Sequence, residues 1–538
     1  MATSHFFGNK IIKLPGAYSM VKSVSPVNFS TASYSKVLIV NTNPNYAFGG
    51  SVEGTLTKGG DALYKFKSLP EARAFFKSGY MWSLVENLFR PSRLEGRQGI
   101  SELQFINALK STAPSFTLSL SAGTLEIKVK DESANANGVK INTSATVDTP
   151  AANLKSGYAM SIEKGVKDPS KYVLKFWQGT YKGEWSDGIA FDGLSPEQSL
   201  PELILASPEI ASVNEFKAWA IKDETFSAGF EITSASGDFS ENDIATNAFV
   251  LAAGGSATYA AAQLTAALDL LKKGDWSILL SLNKQGASGA DVINASFQHY
   301  VQSETRFKKY LAVPGADKFS DNVTAAKAFN SERVWLIHGT PRKASSLSPL
   351  GYRVYDSLTQ AALVVGRIAG LPPQVPGTFK DIDVAGLENP LTDSQLEEAL
   401  DAGVLVSNYD DDLGYFCITR AINTLQNNTS LQNPDGSTFS IQISRICTQL
   451  NIDVVINAKQ QIFSSNETAN VNTVSPIYLK NWLKSFLATK IATPQQDNLI
   501  TGVESVDVER QQDALYANYA FYTNSEIAFL FFTGVSIY

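Results

Sequence analysis

Histidine and cysteine, which often supply catalytic bases, nucleophiles and metal ligands, are scarce in this chain of 538 residues. The chain contains three histidines, His5, His299 and His338, and two cysteines, Cys417 and Cys447. No two histidines have the H-E-x-x-H spacing and no C-x-x-C pair exists, so the sequence predicts no zinc site. His338 ends the apolar run V-W-L-I-H and could act as a base at a strand end, but a hydrogen-bonded structural histidine is favoured. Two cysteines are too few for a disulfide framework, and we expect both to be reduced.

Two other motifs have residue types that bind charged ligands. The stretch G-G-S-A-T-Y at 254–259 precedes a predicted helix, but it lacks the residues of a P-loop or a dinucleotide site, so a tight strand-to-helix turn is favoured. The run Asp410, Asp411 and Asp412 could bind a hard cation, yet the third oxygen position of a calcium loop falls on Gly414, which favours a solvated turn. No G-x-S-x-G motif occurs. We therefore predict no catalytic residue, no cofactor and no metal.

Composition excludes several classes of partner. The hydrophobic content of 44% is sufficient for large cores, and the formal charge of -7 argues against nucleic acid as the main partner. The most apolar late segment, E-I-A-F-L-F-F-T-G-V-S-I-Y, is too short to cross a bilayer, so no membrane insertion is expected. The first twenty residues lack the apolar region of a secretory signal, and none is predicted.

Alternating strand and helix patterns run from about 255 to 370 and indicate the fold class. Helices are predicted in T-Y-A-A-A-Q-L-T-A-A-L-D-L-L-K-K, A-D-V-I-N-A-S-F-Q-H-Y-V-Q-S-E, N-V-T-A-A-K-A-F-N and Y-D-S-L-T-Q-A-A-L-V-V-G-R-I-A-G. Apolar strands, W-S-I-L-L-S-L, Y-L-A-V-P and E-R-V-W-L-I-H-G, lie between them. This alternation is typical of a mainly parallel sheet covered on both faces, so we predict a mixed α/β protein. The strand K-V-L-I-V-N-T at 36–42 and a helix in S-L-P-E-A-R-A-F-F-K-S-G are expected to join the same body.

The pattern changes between about 114 and 253. G-T-L-E-I-K-V-K-D, Y-V-L-K-F-W-Q-G-T-Y-K-G, F-K-A-W-A-I-K-D-E-T-F and G-F-E-I-T-S-A-S-G-D-F all read as strands separated by Gly, Asn and Ser turns. We predict a β-rich outer domain, 114–253, inserted into a discontinuous α/β core, 31–113 and 254–525. An N-terminal arm, 1–30, and a C-terminal arm strand, 526–538, complete the predicted division.

A Pro-rich segment and two late helices follow the alternating region. The helix that contains V-V-G-R-I-A-G is expected to end near Gly370, because Pro372 disfavours helical backbone at Leu371. The residues after it should lie as an extended strap on another part of the protein. Two more helices are expected, in I-S-R-I-C-T-Q-L-N-I-D-V-V-I-N-A-K-Q-Q-I-F and in S-P-I-Y-L-K-N-W-L-K-S-F-L-A-T-K-I. Strands are predicted in D-A-L-Y-A-N-Y-A-F-Y-T and in the apolar C-terminal segment.

Taken in their order along the chain, these segments resemble those of contractile tail sheath proteins of tailed bacteriophages and related injection particles. In that family a helix like V-V-G-R-I-A-G runs into a Pro-rich strap. F-F-G-N-K-I-I-K-L-P-G-A-Y-S-M-V is similar to its N-terminal arm, L-K-F-W-Q-G-T-Y-K-G-E-W to its inserted domain, and S-R-I-C-T-Q-L-N-I-D-V to a late helix. The likeness covers most of the chain and is weakest between 114 and 253.

The resemblance implies a structural protein that polymerises with itself as stacked hexameric rings around a tail tube. The family's contraction drives the tube through the host envelope, and its terminal arms add strands to sheets of neighbouring copies. The implied tube-facing residues are Lys480 and Lys484. The implied inter-subunit strands contain Ile11, Ile12, Tyr18, Val21, Ile527, Phe529, Phe531, Val535 and Ile537. Further implied partners are tail tube, baseplate and tail terminator proteins, and the implied location is the virion tail, assembled in the host cytoplasm.

Three alternatives stay open on the sequence. One is the sheath of a phage-derived contractile injection particle. Another is an α/β hydrolase-like enzyme with a β-rich accessory domain, and the third is a static surface or capsid-associated protein. A single long chain with a large insertion favours the virion sheath.

Overall fold

The structure is a computed structural model of the chain. It describes residues 5–7, 10–12, 32–43, 63–76, 79–94, 96–97, 99–131, 136–140, 154–179, 202–259, 261–271, 275–287, 289–303, 308–344, 352–426, 438–460, 474–491, 500–511 and 514–523. None of the helices in these residues combines the length and apolar character needed to traverse a bilayer.

The described strands are numbered along the chain. They are β1 (His5–Phe7), β2 (Lys10–Ile12), β3 (Lys36–Asn41), β4 (Tyr64–Phe66), β5 (Glu102–Asn107), β6 (Leu109–Thr112), β7 (Ser115–Leu120), β8 (Gly123–Val129), β9 (Val139–Lys140), β10 (Leu154–Ser156), β11 (Tyr158–Lys164), β12 (Tyr172–Gln178), β13 (Glu202–Ala206), β14 (Phe230–Ala235), β15 (Val250–Leu251), β16 (Ser256–Tyr259), β17 (Ile278–Leu280), β18 (Tyr310–Pro314), β19 (Val334–Ile337), β20 (Pro341–Ala344), β21 (Tyr352–Val354), β22 (Gly386–Leu387), β23 (Val404–Leu405), β24 (Ser407–Asp410), β25 (Tyr415–Ile418), β26 (Ile500–Gln511) and β27 (Ala514–Thr523).

The described helices are numbered in the same way. They are α1 (Leu69–Phe76), α2 (Gly79–Phe89), α3 (Val213–Ala220), α4 (Glu224–Gly229), α5 (Glu241–Thr246), α6 (Ala261–Leu271), α7 (Ala290–Ser303), α8 (Phe319–Phe329), α9 (Ser357–Ala369), α10 (Asp393–Ala402), α11 (Ile441–Ala458) and α12 (Pro476–Ala488). A short 3₁₀ helix, Ala32–Ser35, precedes β3.

A seven-stranded sheet forms the centre of the body, in the order β23-β19-β18-β17-β3-β5-β4. Its neighbours pair in parallel except at one edge, where β4 is antiparallel to β5. Side chains of β3 alternate between two hydrophobic cores: Val37 and Ile39 face α2 and α9, whereas Leu38 and Val40 face α6, α7 and α8. The α/β class, the predicted strands and the predicted helices around this sheet are confirmed.

Helix α9 is buried along its whole length. All 13 of its residues are buried, because the sheet, α2 and later segments surround it. The carboxylate of Asp356 caps its first turn by accepting from the backbone N–H of Thr359. At Gly366 the helix lies directly against the backbone of α2, where an added Cβ would meet the carbonyl oxygen of Leu88 at 2.6 Å. A side chain at 366 would therefore push the two helices apart.

Residues between β7 and β15 pack around a third hydrophobic core of their own. Sheet β14-β8-β7 and sheet β13-β12-β11-β15 contribute to it, and Phe116, Phe176 and Phe230 are buried together. The chain returns from this region to the body through β16, which pairs with β6. The domain boundaries at 114 and 253 remain a prediction.

The strand expected in F-K-A-W-A-I-K-D-E-T-F is wrong, because this segment forms α3 and α4. The hydroxyl of Ser212 accepts from the N–H of Glu215 and the carboxylate of Asp223 accepts from the N–H of Phe226, so each helix has an N-cap. Val213, Phe216 and Ala220 share the helical spacing and lie in the third core.

The last described part of the chain contains two helices and a long hairpin. The late helices predicted from the sequence are α11 and α12, and the strand predicted in D-A-L-Y-A-N-Y-A-F-Y-T is β27. Ser475 caps α12 and Pro476 occupies its first position. Leu483 and Leu487 of α12 pack between α11 and the hairpin of β26 and β27.

Replacing Gly366 with alanine tests the close contact between α9 and α2. We expect Gly366→Ala to destabilise the fold by about 2 kcal/mol or more, because the new Cβ overlaps backbone atoms that cannot move independently. Gly386→Ala is the matched control, since its Cβ would meet only the flexible side chain of Arg342 at 3.5 Å. Thermal unfolding followed by circular dichroism should show a lower melting temperature for the first variant only; equal melting temperatures would contradict the close contact.

Candidate assembly interface

The carboxyl ends of the parallel strands, where open α/β sheets bind ligands, are occupied by the protein's own polar side chains. Between β3 and β17, where the strand order reverses, Asn283 Nδ2 donates to Thr42 Oγ1 at 2.8 Å. Asn43 Nδ2 donates to the carbonyl of Leu282, and Asn294 Nδ2 to the carbonyl of Asn283. All four polar side chains are buried. In the described residues, this crevice therefore contains buried amides that donate to a threonine hydroxyl and to backbone carbonyls.

His338 is also held in a structural contact at this edge of the sheet. Its Nδ1 lies 2.9 Å from Asn322 Nδ2, and Asn322 accepts from the backbone N–H of Ala316 at 2.7 Å. Burial lowers the pKa of His338, which favours the neutral ring that accepts this bond. His338 is therefore hydrogen-bonded within the fold, which is the structural role that the sequence favoured.

The two other charged-ligand motifs also have structural explanations. The tight turn expected at 254–259 is wrong, because Ser256–Tyr259 forms β16 and hydrogen-bonds to β6; the hydroxyl oxygens of Ser256 and Thr112 lie 2.7 Å apart. Asp410 begins the turn between β24 and β25, and its carboxylate accepts from the N–H of Leu413 at 2.9 Å. Asp411 and Asp412 are exposed in that turn. Cys417 and Cys447 are buried free thiols.

The Pro-rich segment, residues 371–388, is here called the strap. Helix α9 ends at Ala369 with Gly370 as its C-cap, as predicted. The strap is not extended throughout, because Val375 N–H bonds to the carbonyl of Pro372 in a turn. Beyond this turn it runs alongside β25, where Phe379 N–H donates to the carbonyl of Ile418. A second turn follows, in which Lys380 N–H bonds to the carbonyl of Gly377 and Phe379 has a φ of 57°. The extended course expected for the whole strap is therefore wrong.

The strap lies on α11 and on the connection after α2. These are the parts of the protein that the Pro-rich segment covers. Arg445 of α11 donates from Nη2 to the carbonyl of Leu371 at 2.9 Å, and burial lowers the pKa of Arg445 to about 10. Asp383 N–H donates to the carbonyl of Pro91 at 2.7 Å. The strap thus joins α9, α11, β25 and the end of α2.

A buried ion pair fixes the strap to the end of α9. Arg367 Nη2 lies 3.1 Å from Asp381 Oδ1, and both side chains are almost fully buried. Burial lowers the pKa of Arg367, although the nearby carboxylate of Asp381 opposes that shift. The hydroxyl of Ser92 also donates to Asp381. Because both charges are desolvated, loss of one partner leaves the other uncompensated.

The predicted tube-facing lysines both lie on α12, but their environments differ. Lys480 Nζ forms an ion pair with Asp507 of β26 at 2.9 Å. Lys484 is exposed, one turn further along the helix. Ile477, Asn481 and Lys484 share the exposed face of the helix, opposite the face packed on the hairpin. Lys484 is thus the more accessible of the two charges.

The hairpin of β26 and β27, here called the ribbon, pairs from Ile500↔Thr523 to Gln511↔Ala514. One face packs on α12 through Val506 and Phe521. Within the described residues neither strand forms a ladder with a third strand. The sequence does not predict β26, because register shifts between residues 500 and 502 and between 503 and 505 interrupt the two-residue alternation.

The predicted inter-subunit strands fall mostly outside the described residues. Ile11 and Ile12 form part of β2, which pairs with β1 of the same chain. The predicted residues that lie outside the described part of the chain are Tyr18, Val21, Ile527, Phe529, Phe531, Val535 and Ile537. Their assignment to inter-subunit strands stays a prediction.

No family model matches the sequence, and no curated protein matches it. Among solved structures, the chain is similar to a sheath tail protein from Listeria innocua, with 12% identity, a TM-score of 0.49, and coverage of 92% of this chain and 93% of that one. A sheath tail protein from Desulfitobacterium hafniense matches with 12% identity, a TM-score of 0.47, and coverage of 95% and 96%.

The helical sheath of the anti-feeding prophage in its contracted state matches with 11% identity, a TM-score of 0.44, and coverage of 97% of this chain and 99% of that one. All three structures are sheath proteins.

Removing one partner of the buried ion pair tests the strap. We expect Asp381→Ala to destabilise the fold by about 3–5 kcal/mol, because it leaves the guanidinium of Arg367 buried without its carboxylate. The double variant Arg367→Leu/Asp381→Ala should recover much of that loss, because it removes both charges. Melting temperatures of the wild type, both single variants and the double variant form the cycle. An additive double variant would show that the two charges do not interact.

Proposed function

We propose that the chain is the structural subunit of a contractile phage tail sheath. In this proposal it polymerises with itself as stacked hexameric rings around a tail tube, and its contraction drives the tube through the host envelope. The ring and tube geometry comes from the family that the sequence resembles. The observation in this chain that supports the proposal best is the ribbon.

Among the described residues, the ribbon pairs with no third strand, so each of its two edges can accept a further strand. Strand β26 has 12 residues, which is about 40 Å of extended backbone. Within the described residues, the backbone N–H and C=O groups along its outer edge form no ladder with a third strand. One face of the ribbon packs on α12, and added strands would satisfy its edges with backbone hydrogen bonds. The ribbon is therefore a suitable acceptor for strands from other copies.

The two chain ends supply donor strands of fitting length and character. Residues 526–538 are mostly apolar, and 13 residues span about 43 Å when extended, which matches the length of β26. Residues 10–27 are the second donor. One donor on each edge would make the ribbon a four-stranded sheet shared by several copies. This assigns the inter-subunit roles to the residues of both arms that the sequence predicted.

Such contacts are heterologous, because the arm of one copy meets the ribbon of another. Heterologous contacts build rings or open helices instead of closed two-fold dimers. A sleeve linked by arms can shorten while its subunits move as rigid bodies. If contraction buries about 200 Å² more apolar surface per subunit, it releases about 5 kcal/mol per subunit, so no nucleotide is needed.

The sheath must hold the tube weakly enough to release it. The exposed face of α12 suits an electrostatic contact, with Lys484 accessible and Lys480 shared with Asp507. Baseplate and tail terminator proteins would contact the two ends of the sleeve. The proposed location is the virion tail, with assembly in the host cytoplasm.

The nearest alternative is a sheath of a phage-derived injection particle, which would use the same interfaces. The enzyme alternative is less well supported, because the crevice at the carboxyl ends of β3 and β17 is filled by bonded Asn and Thr side chains. A purified sample examined by negative-stain microscopy separates the classes. Tubes or sleeves support the sheath, monodisperse monomers with hydrolase activity support the enzyme, and flat lattices support a static surface protein.

Deleting residues 1–25 tests the arm exchange. We expect the truncated chain to remain a folded monomer that forms no tubes, because one donor strand of the proposed sheet is missing. Negative-stain microscopy and sedimentation measure polymer, and circular dichroism measures folding. Full-length protein purified in parallel is the control. Normal tubes from the truncated chain would refute the role of the N-terminal arm.

Charge reversal on α12 tests the tube contact. We expect Lys484→Glu to reduce cosedimentation with purified tail tubes by about tenfold while sheath polymerisation and melting temperature stay unchanged, because this side chain is exposed. Lys222→Glu, an exposed lysine after α3, is the matched control. Unchanged tube binding by Lys484→Glu would assign the tube contact to another surface.

A further inference from the structure

The two edges of the seven-stranded sheet carry opposite charge. At the β23 edge, helix α10 packs against β23 and α8 and contains four acidic residues and no basic one. Asp393, Glu397, Glu398 and Asp401 are all exposed. Glu397 and Glu398 form no ion pair within the described part of the chain. We call this surface the acidic edge.

The acidic edge contains a groove of about 430 Å³ between α8 and α10. Glu397, Glu398 and Asp401 line it, together with Ser394 and Ala402, and Lys327 contributes the one positive charge in its lining. A groove with three carboxylates and one ammonium has the shape and charge to accept Lys or Arg side chains from a partner.

The opposite edge of the sheet supplies side chains of that kind. Among the described strands, β4 is the last one at this edge, and α1 follows it in the chain. Lys65, Lys67 and Arg73 are exposed on these two elements, with Glu71 as the nearby acid. Arg73 lies over the ring of Trp82, which holds its guanidinium at the surface. We call this surface the basic edge.

Backbone pairing is a poor means of joining copies at the basic edge. Strand β4 has three residues, and Lys65 stands at its centre. Short edge strands with a central lysine are a common protection against strand-to-strand association. A partner at this edge would therefore be held through side chains, which fits a charged groove better than a sheet edge.

We propose that the acidic edge of one copy binds the basic edge of a second copy, with Lys65 and Lys67 entering the groove lined by Glu397 and Glu398. The contact rests on the proposed polymerisation of this chain and adds a second, electrostatic interface to the arm exchange. Because the two surfaces lie at opposite edges of one sheet, the contact runs head to tail, as a ring requires. Exposed ion pairs are weakened by salt, so this interface can separate and re-form while the arms keep copies linked.

Exchanging the charges of the two edges tests the contact. The acid-reversed variant is Glu397→Lys/Glu398→Lys, and the base-reversed variant is Lys65→Glu/Lys67→Glu. Each alone should raise the protein concentration needed for polymer by about tenfold, because like charges then meet. A mixture of both variants, in equal amounts, should polymerise near the wild-type concentration, since copies with two basic edges alternate with copies with two acidic edges.

Sedimentation and negative-stain microscopy over a concentration series, at low and high salt, measure the outcome. Asp411→Lys/Asp412→Lys is the matched control, because it reverses two adjacent exposed acids in the turn between β24 and β25 and should polymerise as the wild type does. Melting temperatures check that each variant folds.

If the wild type forms no polymer, the proposed function fails. If the wild type polymerises and both reversed variants do so equally well, the function stands and the edge contact is refuted. Failure of the mixture to recover, with folded variants, also refutes it.

Discussion

Burial of α9 on every side is the constraint on which the rest of the body depends. A helix with all 13 residues buried cannot be covered by one sheet and one neighbouring helix. The chain covers it with α2 at a glycine contact, with the sheet, and with a Pro-rich strap that adds few backbone donors of its own. The buried Arg367–Asp381 pair then sets where the strap lies, because two desolvated charges tolerate little displacement.

The strap also connects this rigid body to the elements proposed for assembly. It contacts α11 through Arg445, and α11 packs on α12 and the ribbon through one hydrophobic cluster. Lys490 after α12 and Asp453 of α11 form a second buried ion pair at 2.9 Å. A pull on the ribbon by a neighbouring copy would therefore be transmitted to the centre of the sheet through packed side chains and ion pairs. A rigid connection of this kind suits a subunit that moves as a whole.

The sequence predicted the parallel sheet because its buried strands are continuous apolar runs and the helices between them have the helical period. The secondary structure predicted from the sequence was wrong where the local pattern of residues conflicts with tertiary packing. F-K-A-W-A-I-K-D-E-T-F alternates like a strand, but the caps at Ser212 and Asp223 and the third core favour helices. β26 was missed because its register shifts break the alternation. The charge difference between the sheet edges could not be predicted, since it depends on strand order, which places α1 and α10 at opposite ends.

The two proposed interfaces differ in the way a contractile assembly requires. Strand exchange supplies a row of backbone hydrogen bonds over about 40 Å, and breaking it needs all of them to separate together. Charged edges act through side chains in water, where each pair contributes about 1 kcal/mol or less and can be remade in a new register. If both contacts were strong, the sleeve would be locked in one length; if both were weak, it would come apart when it shortened. A chain with a strong flexible link and a weak polar face can change its packing without losing its neighbours.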